Sequence, residues 1–202
     1  TEISIINSIT FDKLNAFIRP TDGYLYKFSN TISPPTNSTN GYIKNTFLYK
    51  KYLTYKKRNI FSIKSKVGNV ISLQNSSILS DNKFGLGGNW LRGFDSLGAG
   101  PRNSRTSYVG GKNLIVSKID YTRAINNDAD SPIDFNLFVD VGKVWDNKTT
   151  PTSSSESIRS SYGLGLKFYT PVGPVGFSWA FPIQDESYDI NRMFLFTIGN
   201  LN

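Results

Sequence analysis

The feature that most constrains this chain is a hydrophobic period of two that recurs in segments long enough to cross a membrane at a tilt. Between residues 133 and 145, Ile133, Phe135, Leu137, Val139, Val141 and Trp145 fall on one face, while Asp134, Asn136, Phe138, Asp140 and Gly142 fall on the other. Between 158 and 169, Tyr162, Leu164, Leu166 and Phe168 alternate with Arg159, Ser161, Gly163, Gly165 and Lys167. Successive side chains of a strand point to opposite faces, so each segment has one aliphatic and aromatic face and one face of glycine, serine, lysine and aspartate. A soluble β-sandwich shares the period, but the second face would make a poor dry core. A transmembrane barrel, apolar outside and polar in its lumen, accounts for both faces.

The same alternation marks nine segments: 3–12, 23–32, 42–52, 60–70, 113–123, 133–145, 158–169, 175–181 and 192–199. Most approach the ~9–11 residues that a tilted membrane strand needs. Their connections alternate in kind, with short turns near 20, 56, 128 and 172 and longer loops near 37, 90, 151 and 186, as in outer-membrane barrels. The fold expected is therefore all-β, a transmembrane antiparallel up-and-down barrel. Nine strands would leave open edges in lipid, and single-chain bacterial barrels have even strand numbers. Residues 1–202 are thus expected to be the C-terminal portion of a larger barrel, with 75–111 as one long inserted loop.

Composition removes several function classes. Mean hydropathy is −0.30 and no apolar run of about 18 residues occurs, so no transmembrane helix is expected. The chain has no cysteine and no histidine, which leaves thiolate and imidazole chemistry without residues; no catalytic, metal or cofactor site is expected, nor an enzyme. The net charge of +8 is spread along the chain apart from Lys50-Lys51 and Lys56-Lys57-Arg58, which points to lumen and turn charges rather than nucleic acid. Residues 126–130 are rich in Asn and Asp but lack calcium-loop spacing and read as a turn. No signal peptide is visible, so an exported precursor would begin upstream.

The loop centres on Gly87-Gly88-Asn89-Trp90-Leu91-Arg92-Gly93-Phe94. Alternation puts Asp120 and Asp140 in the lumen on adjacent strands, where they could clamp Arg92 by charge-assisted hydrogen bonds. The pattern alone leaves a second arrangement open, in which all three are separately hydrated.

Leu91-Arg92-Gly93-Phe94 with Gly100-Pro101-Arg102 resembles the loop motif of BamA-type outer-membrane assembly proteins of the bacterial surface antigen superfamily. So do Phe138 to Asp146, Ile158-Arg159 to Gly165, Ser178 to Pro182, and the ending Phe194 to Gly199. The likeness runs from about 9 to 199. It implies a 16-stranded barrel preceded by periplasmic POTRA domains that this chain does not include. In the resembled family the loop folds into the lumen and its arginine pairs with carboxylates on the next two strands, here Asp140 and Asp120. A hairpin centred near 128 would put Asp120 opposite Asn136, ~13 Å along the strand from Asp140, which favours Asp140 as the partner. Gly142 and Trp145 belong to the strand motif. Phe194, Phe196 and Ile198 resemble a C-terminal β-signal, although lipid contact explains them as well. Gly199 resembles a kink at a lateral seam, or else simply ends a strand. Trp145, Trp179 and Tyr121 read as interfacial or lipid-facing aromatics.

The function implied is folding and insertion of β-barrel proteins in the bacterial outer membrane through a lateral seam and strand templating. The partners implied are outer-membrane lipids, unfolded β-barrel substrates and, through the POTRA domains, assembly-complex lipoproteins. A secretion translocator of the same superfamily and a passive porin are the alternatives.

Overall fold

A computed structural model describes residues 2–36, 40–74, 77–102, 107–126, 132–146, 156–171 and 173–199. The strands in chain order are β1 (Ile5–Asp12), β2 (Gly23–Ser33), β3 (Tyr42–Tyr55), β4 (Asn59–Ser72), β5 (Gly93–Phe94), β6 (Asn113–Asn126), β7 (Ile133–Trp145), β8 (Arg159–Thr170), β9 (Gly173–Gln184), β10 (Asn191–Arg192) and β11 (Phe194–Ile198). Nine of them form one sheet in the order β1-β2-β3-β4-β6-β7-β8-β9-β11, and the short β5 and β10 pair separately. Every neighbouring pair is antiparallel, giving an up-and-down meander with the inserted loop between β4 and β6. Residues 127–130 of the expected turn and 147–155 of the Thr/Ser-rich loop lie outside the described residues.

The two faces differ as alternation requires. On the outer face, aromatic rings meet across strands: Tyr26 and Tyr49 stack with centroids 5.1 Å apart, Phe177 lies 5.2 Å from Phe196, and Trp179 lies 5.4 Å from Phe194. Phe61, Ile115, Ile119, Leu137 and Val139 are exposed on this face, where a bilayer would cover them. The inner face carries Lys64, Lys118, Asp120, Asp134, Asn136, Asp140 and Ser161, all buried.

These polar residues are buried because the chain folds back onto its own sheet. The inserted loop lays Phe84, Leu86, Leu91, Phe94 and Ala99 against Val70, Leu114, Val116 and Val144 of the wall. The apolar core therefore lies between loop and sheet, inside the curve. Gly142 makes room for it, since a Cβ there would press on Leu86 and Val116 at 3.1 Å.

The structure differs from expectation in several places. Strands β3, β4, β6 and β9 run longer than the alternation suggested, because their ends stay paired after the pattern fades. The expected last strand at 192–199 is divided. Residues 191–192 leave the sheet to pair with Gly93 and Phe94 of the loop, and the sheet resumes at Phe194. Residues 13–22 form more than a compact turn. Asn15 ties the segment together by donating to Thr21 and accepting from the Thr21 and Asp22 amides, and Arg19 reaches Asp134 on β7 with two hydrogen bonds of 3.0 and 2.6 Å.

Close packing of β8 on its neighbours gives a test. A Cβ at Gly163 would collide with the Trp179 carbonyl and the Phe138 ring. Gly163→Leu in the full-length protein is expected to cost about 1–3 kcal/mol, read as a lowered urea midpoint in detergent; an unchanged midpoint would contradict the packing described.

Candidate functional site

Arg92 sits at the centre of the inner face. The glycine-rich approach lets the loop turn there: Gly87, Gly88 and Gly93 have φ of +136°, +56° and +94°, values that favour glycine. At Gly87 the turn is also too tight for a side chain, because a Cβ would strike the Asp95 carbonyl.

The guanidinium bridges two strands. Its Nε donates to Asp140 Oδ2 at 2.7 Å and its Nη2 to Asp140 Oδ1 at 2.6 Å, a bidentate pair, while Nη1 donates to Asp120 Oδ1 at 2.8 Å. The Arg92 backbone N–H also donates to Asp140 Oδ2 at 3.0 Å, and the Ser161 hydroxyl donates to the Arg92 carbonyl. The guanidinium carbon lies 3.4 Å from the centroid of the Phe138 ring, so the cation is stacked as well as paired. Arg92 and both carboxylates are buried, Asp140 completely. Burial opposes the charge on Arg92, but the two carboxylates outweigh it and raise the guanidinium above its ordinary value.

Arg92 reaches both aspartates because the hairpin closes later than a turn centred near 128. Asp120 pairs with Phe138, not Asn136. It therefore stands two residues from the level of Asp140, about 7 Å along the strand, rather than four. Asn136 remains in contact by donating to Asp120 Oδ1 at 3.2 Å.

A second arginine supports the loop from the other side. Arg159 of β8 donates through Nε to Asp189 at 2.9 Å, through Nη2 to the Tyr188 hydroxyl at 3.0 Å, and through Nη1 to the Ser157 carbonyl at 2.7 Å. This fixes the 185–192 segment, which in turn pairs with the motif: Asp95 N–H donates to the Ile190 carbonyl and Ile190 N–H to the Gly98 carbonyl. Residue alternation put Arg159 on the inner face, but nothing local in the sequence marked Asp189 as its partner.

The remaining expected residues lie elsewhere. Phe94 is buried in the loop core. Trp145 stands on the outer face, opposite Asn113, with the Lys143 ammonium 5.4 Å from its ring. Phe194, Phe196 and Ile198 occupy the outer face of β11 against Trp179, Phe177 and Val175. Gly199, with φ +83°, ends the strand and donates its N–H to the Pro174 carbonyl at 2.8 Å.

The chain is similar to proteins of known family. A family profile described as the Omp85 superfamily domain matches residues 1–201. The outer membrane protein assembly factor BamA of Neorickettsia risticii is 26% identical over 173 residues, covering 82% of this chain and 23% of that protein. BamA of Neisseria meningitidis serogroup B is 28% identical over 147 residues, 59% of this chain and 18% of its own length. A SAM50-like protein of Schizosaccharomyces pombe is 30% identical over 138 residues, 65% of this chain and 29% of its own. The crystal structure of BamA from Haemophilus ducreyi lacking POTRA domains 1–3 superposes with a TM-score of 0.82 at 21% identity, over 96% of this chain and 41% of that one. The chain thus spans less than a third of each of these curated relatives.

The hydrogen-bond count ranks the two carboxylates. Asp140 accepts three bonds from Arg92 and Asp120 one. Arg92→Ala strands two buried carboxylates and is expected to cost about 3–5 kcal/mol. Limited proteolysis of the full-length protein should then cut within residues 84–102 while circular dichroism retains the strand signal. Asp140→Asn should expose the loop more than Asp120→Asn, and Arg92→Lys should not restore protection, since an ammonium cannot span the fork. Equal protection of all four variants would rule out the clamp.

Proposed function

The chain belongs to the Omp85 superfamily, whose β-barrels sit in outer membranes, and on that premise we propose that it forms the C-terminal barrel portion of an outer-membrane protein assembly factor. The observation that carries this reading is the inserted loop held in the lumen by Arg92 between Asp120 and Asp140, in a chain whose relatives include two proteins named as outer membrane protein assembly factors. On this reading the nine strands are the last of a 16-stranded barrel that follows periplasmic POTRA domains.

The work proposed is mechanical rather than enzymatic. The barrel opens between its first and last strands, and the freed edge templates an incoming strand by β-augmentation. Two features of this chain suit that role. Among the described residues β11 pairs only with β9, and it is short, at five residues, which thins the apolar band at that edge. Phe194, Phe196 and Ile198 keep its outer face apolar, and Gly199 releases the chain at its end. The arginine of the loop fixes β6 and β7, and β5 pairs with β10 beside the edge that moves. Partners on this reading are outer-membrane lipids, unfolded β-barrel substrates and assembly lipoproteins contacted through the POTRA domains; nucleic acid has no part.

A translocator of the same superfamily is the second reading, favoured by one observation: the loop packs against the concave face of the sheet, as a plug would. Depletion separates the two. Loss of the full-length protein is expected to lower the folded, heat-modifiable forms of several unrelated outer-membrane barrels together. Loss of a single secreted passenger, with those barrels unaffected, would favour the translocator and defeat the assembly reading.

A further inference from the structure

One row of the inner wall is crowded with like charge. Lys50 of β3 stands directly opposite Lys64 of β4, Lys64 opposite Lys118 of β6, and Lys118 opposite Asp140 of β7. Like charges on facing positions destabilise a sheet unless something neutralises them. The nearby carboxylates are already engaged. Asp140 and Asp120 are held by Arg92, and Asp134 by Arg19.

The ammonium groups themselves are unequally served. Lys118 donates to the Asn89 carbonyl. Lys64, only 6% exposed, has no hydrogen bond or ion pair within 4 Å with any described residue, and the Tyr52 ring lies 5.7 Å from its ammonium. Lys64 and Lys167 both border two small cavities of about 30 Å³ each. The first lies beside the clamp, walled also by Asn89, Arg92, Lys118 and Asp120. The second lies toward the 13–22 segment, beside Arg19 and Tyr169. Lys64, Lys118 and Lys167 line the first cavity together with Arg92 and Asp120, which are already paired with each other, and a buried cation is stable only where a partner meets it.

We propose that the lumen holds a small inorganic anion in this first cavity, bound by Lys64, Lys118 and Lys167 beside the Arg92 clamp. A space of about 30 Å³ exceeds what one water requires, ~10–15 Å³, and is too small to enclose a lipid headgroup. The anion would accept charge-assisted hydrogen bonds from ammonium groups that otherwise repel one another, with the Ser178 hydroxyl on the opposite wall. It would tie β4, β6 and β8 together beside the clamp, so that loop stability depends on the anion present. This inference rests on the lumenal geometry and stands whether or not the assembly reading does.

The test uses the full-length protein in detergent with bromide as the probe, exchanged against gluconate at constant ionic strength. Bromide should raise the Tm saturably, by about 3 °C or more. Lys64→Gln should abolish that response, and Lys51→Gln, on the outer face, should keep it. Crystals grown in bromide should show an anomalous peak within hydrogen-bonding distance of Lys64 Nζ. If Lys64→Gln does not fold, the anomalous map decides alone. A map without a lumenal bromide, a bromide peak with no stabilisation, or an equal response in Lys64→Gln would each overturn the proposal.

Discussion

The structure depends on one buried guanidinium. Arg92 is enclosed between Asp120, Asp140 and the Phe138 ring, and each ion there has lost its hydration at a cost of several kcal/mol. Such a group contributes little net stability, but it tolerates few placements. A shift of the loop by one residue would leave three buried charges without partners. The apolar residues around it act in the opposite way. Leu86, Leu91 and Phe94 are almost fully buried and contribute roughly 1.5–3 kcal/mol each by leaving water, but they would pack nearly as well in several registers. Attraction comes from the apolar face, and position from the ion triad.

That division explains a chain whose average composition looks soluble. The sheet has no second sheet against it. Its concave face is covered by its own loop and by the 13–22 segment, each fastened by an arginine to a wall carboxylate: Arg92 to Asp140 and Arg19 to Asp134, with Arg159 holding the 185–192 segment through Asp189. A polar interior becomes tolerable because these cations have carboxylate partners. The convex face can then be given over to aliphatic and aromatic side chains. Glycine at 142 and 163 supplies the space for close approach on the inside, and neither could carry a side chain without displacing a neighbour.

Much of this was legible in the residues. Lipid on one side and water or loop on the other impose a strict period of two, so nine strands, their order and the inward direction of Asp120 and Asp140 could be read directly. The glycines flanking Arg92 marked the loop. What stayed hidden were contacts decided by register or by distant segments. The expected 13 Å between the levels of the two aspartates assumed a hairpin centred near 128, whereas the pairing of Asp120 with Phe138 brings them within reach of one guanidinium. Nothing near Arg19 marked its role, because its partner Asp134 lies more than a hundred residues away. The alternation starts the last strand at Arg192, and the loop's competing backbone groups at Gly93 and Phe94 draw that residue and Asn191 out of the sheet. No local pattern encodes any of these.

The central claim is that Arg92 and Asp140 act as one unit that places the loop. A double-mutant cycle on Arg92→Ala and Asp140→Ala in the full-length protein, read by hydrogen exchange of the amides in residues 86–99, tests it most directly. The two losses should be strongly non-additive, with a coupling of about 2 kcal/mol or more, because removing either partner already releases the loop. Losses that add to within about 0.5 kcal/mol would show the two residues to be independent and would contradict the account.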